Sequence, residues 1–285
     1  MSPPAEFVED LFARLGALTS ERGHVTDHDL DVTLGKAGRL AYLVPASRPW
    51  VTALWGALAG SRSAADSPAK PEAPRGCHAT RRFAVAAKWL RVLLRPPAGK
   101  DSRPLLPLET FVVSDLVPVN LDGPSIQLDA SPWGGGAALV VNGSFIEYAA
   151  IAWTTKDAKR FKVALGSPRG QTTWEYLIIF LALDLWADRF RATGVAVLGD
   201  NIAALNGAIS LKGKSELNRI TRELAWRKVR HGWRYACGHL PSEHNDTADC
   251  LSRLSAPDGN RKNFPTVLTT SRQQYFSDPE SLWVS

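Results

Sequence analysis

The longest apolar stretch of the chain, YLIIFLALDLWA from Tyr176 to Ala187, runs for 12 residues and is broken only by Asp184. A bilayer needs about 20 apolar residues in a helix, so this run does not span a membrane. A helix apolar on every side has to be buried, and the run reads as a helix inside a core. With 285 residues, of which 45% are apolar and 22% charged, the chain has material for such a core and for one or two domains. The N-terminus, MSPPAEFVEDLFARLG, has acids where a signal peptide has basic residues. Cysteine occurs at Cys77, Cys237 and Cys250, an odd set without a CxxC pair. That excludes a disulfide framework and a cysteine zinc site, and suits a reducing intracellular setting, cytoplasm or nucleus. No membrane partner is expected. The net charge of +6 favours an anionic partner without naming one.

The two halves differ in texture. Residues 1–100 carry helical periodicity: Phe7, Leu11, Leu15 and Leu18 share one face, Asp27 is placed to cap a second helix, and a third follows Pro49. SRSAADSPAKPEAPRG (Ser61 to Gly76) reads as a flexible loop, and a fourth helix ends at Arg95. Residues 101–117 read as a linker. From residue 118 to 254 the pattern becomes α/β. SIQLDA and AALVV look like the two ends of one long strand interrupted by PWGGG. Asn142-Gly143 signals a hairpin into FIEYAAIAW, and RFKVALG reads as a third strand. The helix Thr172 to Phe190 comes next. The strand VAVLGD, two helices, the strand WRYACGHL and a last helix follow. Residues 255–285 form a turn-rich tail with no functional signal. No internal repeat is present.

Four acids stand where strands end and helices begin. Asp129 lies in the first strand, Glu175 in the first turn of the long helix, and Asp200 at the end of the fourth strand. Asp249 lies in the last helix, four residues after Asn245, a plausible N-cap. In this order they can converge at one sheet edge. Clustered carboxylates resist ionising together unless a cation neutralises them. Hard oxygen ligands select Mg²⁺ or Mn²⁺ over zinc. Four acids around two ions roughly 4 Å apart would suit in-line phosphoryl transfer. Ser131 with Gly134, Gly135 and Gly136 either lets the backbone approach a substrate groove or marks a bulge in a bent strand.

The stretches IQLDASPWGGGAAL, TTWEYLIIFLALDLW, VLGDNIAAL and GHLPSEHNDTADCLSRL, in this order, resemble the ribonuclease H domain of retroelement reverse transcriptases. The resemblance covers about Ser125 to Leu254, and the closing H-x-P-x-x-x-N-x-x-A-D-x-L-S-R is its most specific part. It implies a ribonuclease H-like mixed five-stranded sheet flanked by helices, behind a small helical domain. It further implies Asp129, Glu175, Asp200 and Asp249 as ligands of two Mg²⁺ ions, with Mn²⁺ able to substitute. His239 then takes the place of the mobile histidine associated with product release or proton transfer. The implied activity is cleavage of the RNA strand of an RNA–DNA hybrid, leaving a 5′-phosphate. Upstream, VTLGKAGRLAYLVPASRPWVTALWGAL resembles, less closely, the connection segment of tyrosine-recombinase-type and related elements. Their polymerase palm carries an Asp-Asp pair and this chain has none. A polymerase, if needed, is expected from elsewhere in the element, of which this chain would be a fragment.

Between Lys212 and Arg234 eight basic residues face Glu216 and Glu223, a net charge equal to that of the whole chain. Arg219, Arg222, Trp226 and Arg230 fall on one helical face, with Lys212 and Lys214 just before it. Such a face suits phosphates, with Trp226 or Trp233 against sugar. The alternative is a solvated outer face with its tryptophans in the core. For the chain as a whole the competing readings are a non-catalytic, nucleic-acid-binding or scaffolding remnant and a transposase of the same superfold. The spacing from His239 to Asp249 argues against the transposase.

Overall fold

A computed structural model describes residues 4–65, 72–95, 120, 122–277 and 282. Contacts divide the chain into two compact units, Met1–Val112 and Val113–Ser285. The expected linker 101–117 and residues 66–71 of the expected loop lie outside the described residues.

The first unit has four helices, α1 (Ala5–Ala17), α2 (Asp27–Leu43), α3 (Arg48–Ala65) and α4 (Ala84–Leu94), and a small antiparallel ribbon of β1 (His24–Thr26) and β2 (Cys77–Ala79). Thr26, not Asp27, caps α2: its Oγ1 accepts from Asp29 N at 3.1 Å, while Asp27 is the first helical residue. Ser61 to Ala65, expected in a loop, continue α3, because Ala and Ser do not interrupt a helix whose apolar stripe is already packed. Leu11, Leu34, Leu40, Trp50, Leu54, Phe83 and Leu90 form the core. Buried His78 ties three segments, its Nε2 lying 2.6 Å from Asp27 Oδ1 and its Nδ1 2.8 Å from Ser61 Oγ.

The second unit is the expected α/β class: a mixed sheet flanked by helices. Its strands are β3 (Ser125–Ala130), β4 (Gly134–Val141), β5 (Ser144–Ala152), β6 (Val195–Gly199), β7 (Tyr235–His239) and the short β8 (Arg272–Gln273), in the order β7-β6-β3-β4-β5-β8. β3, β4 and β5 form an antiparallel meander, while β6 runs parallel to β3, β7 to β6 and β8 to β5. The helices are α5 (Thr155–Phe161), α6 (Gln171–Trp186), α7 (Ile202–Ser210), α8 (Leu217–His231) and α9 (Asp246–Ser252).

Several local readings change. SIQLDA and AALVV belong to two strands, because the chain reverses between them. Ser131 N donates to Gly134 O at 2.8 Å, and Ser131 Oγ accepts from Trp133 N and Gly134 N, both at 3.2 Å. RFKVALG is not a strand. A capping box between Thr154 and Asp157 opens α5, and Lys162 closes it in the left-handed region. The hairpin signal holds: Asn142 and Gly143 have φ of 51° and 74°, the paired positive values of a primed turn. The sixth strand, β8, comes from the tail.

The apolar run, but for its last residue Ala187, lies within α6, which is buried from Trp174 to Leu183 and again at Trp186. α6 packs on β3 and β4 and is covered by α7 and α8. Each fully buried Leu or Ile here contributes about 2 kcal/mol. α9 packs against β3, β4 and β5. The glycine run of β4 serves this packing and neither a substrate groove nor a bulge, which falls instead at Leu139/Val140. A Cβ on Gly135 would meet Ile178 of α6 and Trp153 at 2.8 Å, and one on Gly136 would meet Ser252 N at 2.7 Å and Ala248 O at 2.8 Å in α9. Both helices therefore reach β4 backbone beside Asp129, which is paired with Gly136. Among the described residues no helix is long and apolar enough to cross a membrane.

Candidate metal centre and basic cleft

Asp129 stands in the central strand β3, Glu175 in α6, which packs on that strand, and Asp200 just past β6, the parallel neighbour of β3. One carboxylate oxygen from each lies within 4.8 Å of the others. The three acids line a cleft of about 580 Å³ together with Gln171, Asn201, Ser242, Asn245, Asp246, Asp249, Arg253 and Lys262.

Hydrogen bonds hold each carboxylate. Ser252 Oγ donates to Asp129 Oδ2 at 2.6 Å. Gln171 Nε2 donates to Glu175 Oε1 at 2.8 Å and also to the carbonyl of Ala130. Ser242 Oγ donates to Asp200 Oδ2 at 2.7 Å. Asn201 caps α7, accepting from Ala204 N at 3.0 Å, and so sets the turn that presents Asp200. Asn245 occupies the N-cap position of α9, but its side chain does not cap: Nδ2 donates to Leu128 O at 2.9 Å. Its buried Oδ1 has no protein partner.

Burial pushes the Asp129 carboxyl up to about 7, with repulsion from Asp249 and Asp200 adding to it and the Ser252 hydrogen bond opposing. Burial likewise raises Glu175 well above the carboxylate range, helped by Asp129 and Asp200. Without a cation these two acids tend to keep their protons, because the protein itself does not compensate the charge of their ionised forms. The donor set of Asp129, Glu175 and Asp200 is hard oxygen throughout, so the residues fit a hydrated Mg²⁺ or Mn²⁺.

The remaining expected residues are placed differently. Asp249 lines the cleft but stays outside the close group of three. Burial raises its proton affinity, yet hydrogen bonds from Arg253, at 2.6 Å to Oδ1, and from Lys262 outweigh this and hold it below the usual range. His239 ends β7 beside Gly199, one residue from Asp200, and is exposed; it is not among the residues lining the cleft.

Arg219 and Arg222 of α8 line a second cleft of about 770 Å³ with Lys156, Lys159, Arg160 and Lys162, and among the described residues Glu216 is the only acid lining it. Glu216 is paired with Lys162 at 2.7 Å. Burial and then the neighbouring Arg219 lower the Arg222 pKa, with Glu223 opposing. Lys212 and Lys214 are exposed before α8, whereas Trp226 and Arg230 do not line this cleft. Trp233 is in the core, its Nε1 donating to Asp188 Oδ1 at 2.8 Å, so the alternative reading holds for that residue.

Of the cations lining this second cleft, Arg160 and Lys162 fall in RFKVALG, which reads as a strand, while Lys156 and Lys159 just before it carry no signal in the sequence. Ser252 and Arg253 stand inside the ADCLSRL motif, which flagged them by position. Lys262 has no signal in the sequence, lying in a tail that reads as functionally silent.

No family model matches the chain, and no curated protein matches it. Among solved structures, similarity is found to a ribonuclease H1 from the halophilic archaeon Halobacterium salinarum, at 15% identity over 47% of this chain and 95% of that one, with a TM-score of 0.31. It is also found to a foamy viral protease–reverse transcriptase in complex with double-stranded DNA, at 14% identity over 84% of this chain and 35% of that one, with a TM-score of 0.25.

Proposed function

We propose that the second unit is a metal-dependent ribonuclease that hydrolyses the RNA strand of RNA–DNA hybrids, as part of a retroelement reverse transcriptase whose polymerase lies elsewhere. The observation that carries this reading is the group of three carboxylate oxygens within 4.8 Å, on two buried acids and one half-buried acid, at the edge of an open cleft. Asp129, Glu175 and Asp200 would hold one divalent ion, Mg²⁺ or Mn²⁺, and Asp249 would complete the coordination of a second. When bound, such ions supply Lewis-acid stabilisation of the scissile phosphate and of the attacking water. The protein's own part is positional. Gln171, Ser242 and Ser252 fix the carboxylates, and His239, exposed at the end of β7, would pass a proton to the leaving 3′ oxygen.

Arg219 and Arg222, with Lys156, Lys159, Arg160 and Lys162, form a phosphate-binding surface for the hybrid, extended by Lys212 and Lys214. Trp226 and Arg230 lie further along α8 and would meet only a longer duplex. Such contacts position the duplex and carry little sequence information.

The test is cleavage of an end-labelled RNA–DNA hybrid in Mg²⁺, beside Asp200→Asn and a double-stranded DNA control. RNA-strand cutting that needs the metal and disappears in Asp200→Asn is the expected result. Binding without cutting would leave a nucleic-acid-binding remnant, and cutting of the DNA duplex would refute hybrid specificity.

A further inference from the structure

Asp249 shares the cleft with Asp129, Glu175 and Asp200, yet both of its carboxylate oxygens are already engaged. Oδ1 accepts from Arg253 Nε at 2.6 Å, and Oδ2 from Lys262 Nζ. Arg253 is one turn further along the helix, a neighbour that helical geometry supplies locally. Lys262 comes from the segment beyond the helix, and that segment is tied down on both sides of it. Before Lys262, Ala256 is buried, Asn260 N and Arg261 N donate to Pro257 O at 3.0 and 3.1 Å, and Arg261 Nε donates to Leu254 O at 3.1 Å. After it, Phe264 packs edge-on against Tyr148 at 5.2 Å, Leu268 is buried, and Ser271 Oγ donates to Phe145 O at 2.8 Å. β8 then closes the strap by pairing with β5. The strap therefore delivers one ammonium to the carboxylate cleft from a fixed backbone.

A divalent ion bridging to Asp249 and an ammonium on the same carboxylate repel each other and compete for the same oxygen lone pairs. The two sides of the cleft are unequal: among the described residues no cation is paired directly with Asp129, Glu175 or Asp200, whereas Asp249 already has two. We infer that Lys262 is a resident cation of the site: the cleft binds one divalent ion firmly at Asp129, Glu175 and Asp200, and admits a second at Asp249 only when Lys262 is displaced. This rests on the metal-binding reading above and assigns a regulatory part to the tail, which controls how many ions the site holds.

The experiment is calorimetric titration of Mn²⁺ into the full chain, without nucleic acid, for the wild type, Lys262→Met, Lys262→Arg and Asp200→Asn. Lys262→Met keeps the apolar stem and removes the charge, and should reveal a second ion bound at least about tenfold more tightly than any second ion in the wild type. Lys262→Arg keeps the charge and should behave as the wild type. Equal stoichiometry and affinity in Lys262→Met and wild type, with binding lost in Asp200→Asn, would overturn the role of Lys262 and leave the metal site standing. Two firmly bound ions in the wild type, or Lys262→Arg behaving as Lys262→Met, would overturn it as well. Unchanged binding in Asp200→Asn would instead remove the metal site itself and this inference with it.

Discussion

Replacing Asp129 by asparagine takes one charge out of the most crowded part of the cleft while keeping shape and an acceptor for Ser252 Oγ. In the unfolded chain this carboxyl titrates near 3.8, and in the fold burial and its acidic neighbours carry it to about 7. The folded state thus holds the proton more tightly. Below the unfolded value both states are protonated and no penalty exists. As the pH rises through the interval the folded state loses stability, and above about 7 the loss is complete. From 3.8 to about 7, at about 1.36 kcal/mol per unit, the penalty is about 4 kcal/mol for a side chain this deeply buried. Glu175, raised in the same direction, shares the titration, so the pair and not one acid sets the curve.

Asp129→Asn should therefore match the wild type near pH 4 and exceed it by a few kcal/mol near pH 8 in the absence of divalent ions. Urea denaturation followed by tryptophan fluorescence, with Trp174 and Trp186 in the core of this unit, measures the difference. Added Mg²⁺ should stabilise the wild type and not the variant, and so close the gap. A difference that is the same at both pH values, or a variant less stable than wild type near pH 8, would refute the electrostatic argument.

Ser252→Ala removes the donor on Asp129 and should cost about 1–2 kcal/mol in urea denaturation, while weakening Mn²⁺ binding in a titration. Gly136→Ala forces a methyl into α9 and should cost about 1–3 kcal/mol, read from the shift of the denaturation midpoint. Arg219→Ala and Arg222→Ala should each flatten the plot of log affinity against log salt for hybrid binding by about one unit, with the carboxylate site untouched. An unchanged slope would show that the basic cleft does not meet the phosphate backbone.

Features carried by neighbouring residues were legible in the chain: the apolar run that became α6, the Asn142-Gly143 turn, and the acids Asp129, Glu175 and Asp200 at strand ends and a helix start. Periodicity, turn-forming residues and strand ends act over a few residues, and a linear pattern records them directly. The reversal at Ser131 was missed although Ser131 N bonds to Gly134 O, because its other anchor, Ser252 O at 2.7 Å from Ser131 Oγ, lies far along the chain. RFKVALG alternates like a strand and overlaps α5 only at Arg160 and Phe161; the capping box at Thr154, which starts the helix, outweighs that alternation. That the glycines of β4 exist to admit two helices appears only when α6 and α9 are in place. The same holds for the two pairings of Asp249. The sequence by itself determined which residues carry oxygen ligands and positive charge, since these are properties of side-chain chemistry. Only the tertiary structure decided which of them meet. It grouped three acids, set the fourth against Arg253 and Lys262, and joined α5 to α8 around one basic cleft, because encounters between distant segments depend on how sheet and helices pack and not on any local preference.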